Sequence, residues 1–141
     1  MQTPPELDQF PLKAYEKLRY SDTDRQGHVN NAVFATMYET GRVELFYDRN
    51  RPLASVNCTF VVASLTVNYL AEINWPGRVD IGTKVAAVGR SSVTVEQALF
   101  QDGRCVATGQ SVVVQMNETT RRSQPLDENA IAYLSSLMPA A

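Results

Sequence analysis

The stretch Tyr20-Ser21-Asp22-Thr23-Asp24-Arg25-Gln26-Gly27-His28-Val29-Asn30-Asn31 holds two carboxylates one residue apart, a glycine, the only histidine and an Asn-Asn pair. An acidic turn running into a helix start sets a charged side chain beside backbone N–H groups. Those first-turn donors have no intrahelical partner and carry the positive end of the helix dipole. They can hold an anion, or an oxygen that becomes one during a reaction. A carboxylate placed there can take a proton from water or attack a carbonyl itself. Asp24 precedes Asn31 by seven residues, close enough for both functions to meet at one carbonyl. The same residue types also make a plain solvated turn in which Asn30 or Asn31 caps a helix. Asp22 suits that bracing role. His28 is the one side chain whose ordinary pKa lies near neutrality; a positioning or packing role is expected for it.

Several other chemistries are excluded. Gly109-Gln110-Ser111-Val112-Val113 lacks the closing glycine of a serine-nucleophile elbow. One histidine cannot supply a typical zinc site, and Cys58 and Cys105 are not at ligand spacing, so no metal is expected. Neither a P-loop nor a dinucleotide fingerprint occurs, and no cofactor is implied. A net charge of −2 argues against a nucleic-acid partner, which calls for a basic patch or stripe. The N-terminus has no basic or apolar leader, and no apolar run reaches the length of a membrane span. Both cysteines sit in strand-like apolar contexts and read as free buried thiols. The expectation is a cytoplasmic protein without a membrane partner.

The elements that would position the acidic turn can be read in outline. At 141 residues the chain fits one domain, 1–141, with residues 1–10 as a loose, proline-rich tail. Leu12, Ala14, Leu18 and Tyr20 alternate with Lys13, Lys17 and Arg19, predicting a half-buried strand over residues 12–20. After the turn, Val33, Phe34, Met37, Tyr38, Gly41, Leu45 and Phe46 recur at helical spacing to about Arg49. Gly41 costs a helix interior up to about 1 kcal/mol relative to alanine, so its expected use is to let a strand come close. Strands are predicted over 56–70, 78–88, 93–100 and 105–116. Asp102-Gly103 is a two-residue hairpin signal, and Pro76-Gly77 suits a type II turn. Asp127 would cap a short final helix reaching Leu137. One long helix followed by antiparallel strands implies an α+β domain with the sheet wrapped round that helix. Such a sheet leaves an open edge, which two copies could close symmetrically.

Asp22-Thr23-Asp24-x-x-Gly27-His28-Val29-Asn30-Asn31, with Glu39 and Arg42 along the same helix, resembles the signature of the 4-hydroxybenzoyl-CoA thioesterase-like group of hotdog-fold proteins. Tyr69-Leu70, Pro76-Gly77, Gly89-Arg90-Ser91-Ser92, Asp102-Gly103 and Pro125-Leu126 follow in that family's order, so the resemblance covers residues 13–126. It implies a hotdog fold and hydrolysis of an acyl-CoA thioester. Asp24 would be the catalytic carboxylate and the Asn31 backbone N–H the oxyanion donor. Base and nucleophile both stay open for Asp24. Glu39 would face the pocket or serve as a surface or Arg42-paired acid, and Phe34 replaces a tyrosine common in the motif. Gly89-Arg90-Ser91-Ser92 offers donors, a guanidinium and hydroxyls, so Arg90, Ser91 and Ser92 are the candidates for the CoA moiety. A plain turn with a solvated arginine is the competing reading there. Arg104, Arg121 and Arg122 are further cations. CoA would be part of the substrate, and the resemblance implies a homodimer or homotetramer with its site at the subunit interface. An acyl-carrier-protein thioesterase and a non-catalytic module that binds acyl thioesters are the alternatives.

Overall fold

A computed structural model describes residues 3–139. Strand β1 (Leu12–Lys17) alternates half-buried and exposed positions. It gives way to a 3-10 turn at Tyr20–Asp22, so the strand expected to reach Tyr20 is shorter. Helix α1 (Asn31–Phe46) is followed by β2 (Cys58–Tyr69), β3 (Arg78–Val88), β4 (Ser92–Gln101) and β5 (Arg104–Asn117). A final helix α2 (Glu128–Ser136) is capped by Asp127, whose side chain accepts from the Ala130 N–H. Helix α1 stops at Phe46, with Tyr47 as its C-cap, short of the expected Arg49.

The five strands form one antiparallel sheet in the order β1-β3-β4-β5-β2. Alternate residues of each strand face α1. Phe34, Met37 and Tyr38 of the helix meet Val79, Ile81, Leu99 and Ala107 of the sheet. Leu45 and Phe46 meet Val85, Val93, Val95 and Val113, with Leu134 of α2 closing that end. Gly41 is where helix and sheet come closest. A Cβ there would lie 2.5 Å from Gln97 Nε2 and 2.8 Å from Thr83 Oγ1. The expected close approach is present. A sheet wrapped round one long central helix is the hotdog arrangement.

The β4–β5 hairpin has positive φ at both Asp102 (53°) and Gly103 (79°), the pattern of a type I′ turn. The turn at Asn74–Gly77 differs from expectation: the Trp75–Pro76 peptide is cis, so the type II geometry is replaced. The segment expected to be a loose tail carries a 3-10 turn at Leu7–Gln9. Its Phe10 is buried edge-on to Phe100 over Gly82, because the outer sheet face offers an apolar seat there. Residues 1 and 2 of that segment lie outside the described residues. Among the described residues no helix is long and apolar enough to cross a membrane.

Candidate active site

Asp24 begins a tight loop closed by three backbone hydrogen bonds: Asp24 N–H to the His28 carbonyl, Gly27 N–H to the Asp24 carbonyl, and Asn30 N–H to the Asp22 carbonyl. Gly27 takes φ +81°, which the loop needs and which other residue types rarely adopt. Within this loop Asp24 Oδ1 accepts the Gln26 N–H at 2.8 Å and the His28 N–H at 3.3 Å. Its second carboxylate oxygen has no hydrogen-bond partner among the described residues. Asp22 is turned the other way and is 5% exposed. Its Oδ2 accepts the Arg19 N–H and its Oδ1 the Arg19 guanidinium, both at 2.9 Å. Asp22 therefore braces the loop, and Asp24 is the acid left available.

Asn30 caps α1 by accepting the Ala32 N–H at 2.9 Å, and its carbonyl accepts the Val33 N–H. The N–H of Asn31, first residue of the helix, donates to no group among the described residues, as expected for a first-turn donor. Asp24, His28, Asn31 and Phe34 line one cavity of about 590 Å³. The structure thus brings together the turn acid, the histidine and the helix start.

Three wall residues, Glu72, Asn74 and Tyr69, had no site role assigned from the sequence, and a fourth, Arg104, was named only as a further cation. Glu72 Oε2 lies 3.1 Å from His28 Nε2. Asn74 forms a backbone bridge with His28, and its own backbone is gripped on both sides by the Gln101 side chain, at 3.0 Å and 2.7 Å. Tyr69 packs edge-on to Phe34, with ring centroids 5.0 Å apart. Arg104 lines the same cavity from the start of β5. The Asp102-Gly103 hairpin signal preceding Arg104 is the one cue that could have placed any of them.

Two sets of candidates lie away from the Asp24 cavity within one chain. Glu39 lines a separate cavity of about 140 Å³ with Arg42, Val43, Phe46, Phe60 and Val62. It stands eight residues beyond Asn31, about 12 Å along the helix at 1.5 Å per residue. Arg42 beside it is 8% exposed. Burial lowers its pKa and the nearby Glu39 charge opposes that shift. Arg90, Ser91 and Ser92 lie in the β3–β4 hairpin, where the Arg90 and Ser91 carbonyls accept from Leu126 and Gln115. Strand β3 begins beside the Asp24 cavity and ends at that hairpin. At about 3.3 Å per residue its run sets roughly 30 Å between the two. None of Arg90, Ser91 and Ser92 lines the Asp24 cavity.

Both cysteines are free and half-buried, and burial raises the Cys105 thiol pKa, so that thiol is not a primed nucleophile. Among the described residues, no group of three or more His, Cys, Asp or Glu gathers as for a metal ion.

The family model of the thioesterase-like superfamily matches residues 18–134. An acyl-CoA thioester hydrolase, YbgC, of Escherichia coli is 24% identical over 89% of this chain and 94% of its own. A Thermus thermophilus thioesterase, solved in complex with coenzyme A and Zn, is 32% identical with a TM-score of 0.77, over 89% of this chain and 98% of its own. The PA5185 protein of Pseudomonas aeruginosa is 28% identical with a TM-score of 0.85, over 97% of this chain and 98% of its own.

Proposed function

The chain belongs to the thioesterase-like superfamily, and we propose that it hydrolyses acyl-CoA thioesters through Asp24. One observation carries the assignment: Asp24, which has a carboxylate oxygen without a hydrogen-bond partner among the described residues, lines the same cavity as Asn31, whose N–H donates to no group among them. The thioester carbonyl oxygen, accepting from Asn31, gains charge where the helix dipole favours it. Asp24 either draws a proton from a water that attacks the carbonyl carbon or attacks that carbon itself, giving an anhydride that water opens. Both routes break the C–S bond, release the CoA thiol after protonation and leave the free acid. His28 sits in the loop that pins Asp24, and its ring is held by Glu72. Free thiols at Cys58 and Cys105 suit a reducing compartment such as the cytoplasm.

The test is thiol release from a panel of short, long and aromatic acyl-CoAs by the parent and by Asp24→Asn. The asparagine keeps the shape but is neither a useful base nor a nucleophile, so kcat should fall roughly 10²- to 10⁴-fold. Binding of a non-hydrolysable acyl-CoA analogue should survive. Full activity in Asp24→Asn would overturn the carboxylate assignment. A parent that binds acyl-CoA and hydrolyses none of the panel is a binding module.

A further inference from the structure

Thioester hydrolysis needs a proton for the departing sulfur, and Asp24 does not supply it. As a base Asp24 takes a proton from water, and as a nucleophile it has none to give. The other titratable or charged groups on the cavity wall are His28, Glu72, Tyr69 and Arg104. A guanidinium such as that of Arg104 does not release its proton. The Tyr69 hydroxyl donates to the Asn31 carbonyl at 3.4 Å. Glu72 is a carboxylate like Asp24. His28 is the one wall residue of a type that both holds and releases a proton near neutrality.

Two segments hold this histidine. Its backbone is tied to Asp24, whose N–H donates to the His28 carbonyl at 2.8 Å and whose Oδ1 accepts the His28 N–H at 3.3 Å. Its ring is tied to the connection between β2 and β3, where Glu72 Oε2 lies 3.1 Å from Nε2. Asn74 of the same connection bridges to the His28 backbone. A carboxylate on Nε2 orients the ring and leaves Nδ1 as its free nitrogen. We propose that His28 is the general acid of the reaction, passing its Nδ1 proton to the CoA sulfur as the C–S bond breaks, and that Glu72 is the positioning residue that orients its ring. This rests on Asp24 and Asn31 marking the thioester carbonyl, and it deepens that reading by naming the source of the proton. The C–S electron pair goes to sulfur and takes the proton, giving the CoA thiol and a neutral imidazole. On the direct route, the proton that Asp24 drew from water returns to His28 through solvent. On the anhydride route, the neutral imidazole takes a proton from the water that opens the anhydride, and both groups are reset. The Glu72 side chain is 64% exposed, so bulk water reaches the pair.

The leaving group tests the assignment. A nitrothiophenol departs as a stable thiolate and needs no proton, whereas the alkyl thiol of CoA does. Thioesters of one acyl group with each thiol are assayed with the full-length parent, His28→Gln, Glu72→Gln and Asp24→Asn. On acyl-CoA, His28→Gln should lose about 10²-fold or more in kcat, the scale of a general acid. On the aryl thioester it should keep most of its kcat. Glu72→Gln should show the same selectivity at about two- to five-fold, the scale of an exposed ion pair. Asp24→Asn should lose on both thioesters alike, so an unimpaired Asp24→Asn defeats the carboxylate reading and not the acid assignment. An equal loss on both thioesters in His28→Gln overturns the proposal and leaves His28 a brace for the loop; no loss on either overturns it too. A parent that releases thiol from neither thioester overturns both readings. If His28→Gln does not fold, Glu72→Gln decides, and equal effects on the two thioesters, or none, overturn the proposal.

Discussion

Asp22 and Asp24 are the same residue type, separated by one residue, in opposite surroundings. Asp22 is buried and its oxygens are consumed by the backbone and guanidinium of Arg19. Asp24 is exposed with one oxygen pinned and one without a partner. Asp22→Ala should therefore act through the fold, costing about 1–2 kcal/mol for the lost hydrogen bonds, with the exposed Arg19 head adding little. Its kcat should fall far less than that of Asp24→Asn. Thermal melting with kinetics on the same samples checks both, and an unchanged melt with an Asp24-sized loss of kcat would refute the division of labour. The pair was legible in the sequence because its signals are local: turn acids, a glycine and cap asparagines within twelve residues. Glu72 and Asn74 were not legible, and Arg104 was legible only as a cation without a place. Each reaches the cavity through strand pairing or loop packing across long sequence separations, and none sits in a pattern that announces a site.

At the scale of elements, Gly41 shows how a helix is placed by what it touches. In an open helix interior, alanine at a glycine position stabilises by up to about 1 kcal/mol. Here the added methyl would overlap the Gln97 amide, which is committed to the Tyr38 carbonyl and Thr83 Oγ1 at 3.0 Å each. Overpacking of this kind costs roughly 1–3 kcal/mol, so Gly41→Ala should destabilise. A denaturant midpoint that rises instead would show that helix and sheet have room to part. The glycine was legible as a close approach; its partner strands were not, since a helical spacing does not say which strand it meets. The β4–β5 hairpin was legible for the opposite reason, because Asp102-Gly103 encodes both positive φ angles locally. Arg90 shows the limit. A Gly-Arg-Ser-Ser turn can be recognised along the chain, but only the sheet order reveals which end of the domain it occupies.

In the whole molecule, β2 is an unpaired edge, and beside it Val43, Tyr47, Val62, Tyr69 and Leu70 are each about half exposed. Two copies pairing β2 against β2 about a two-fold axis would close the edge and cover this face. Val62→Glu should then give a folded monomer by sedimentation, whereas Ile131→Glu on α2 should leave the assembly intact. A parent that is monomeric at micromolar concentration would refute the pairing. Antiparallel pairing has a further consequence for Glu39. It brings the Tyr69 end of one β2, at the Asp24 cavity, against the Phe60 end of the other, where Glu39 and its apolar cavity lie. Glu39 would then serve its partner's Asp24 and not its own. If Glu39 takes part in turnover, Asp24→Asn and Glu39→Ala should each be impaired as pure proteins. Mixed equally and allowed to exchange, half the dimers become hybrids. In each hybrid, the Glu39→Ala protomer's intact Asp24 faces the other protomer's intact Glu39, while the second site lacks both. Activity should recover to about a quarter of the parent's. Service within one chain predicts no recovery, because every protomer then lacks one of the two groups, and an unimpaired Glu39→Ala would remove Glu39 from the site altogether.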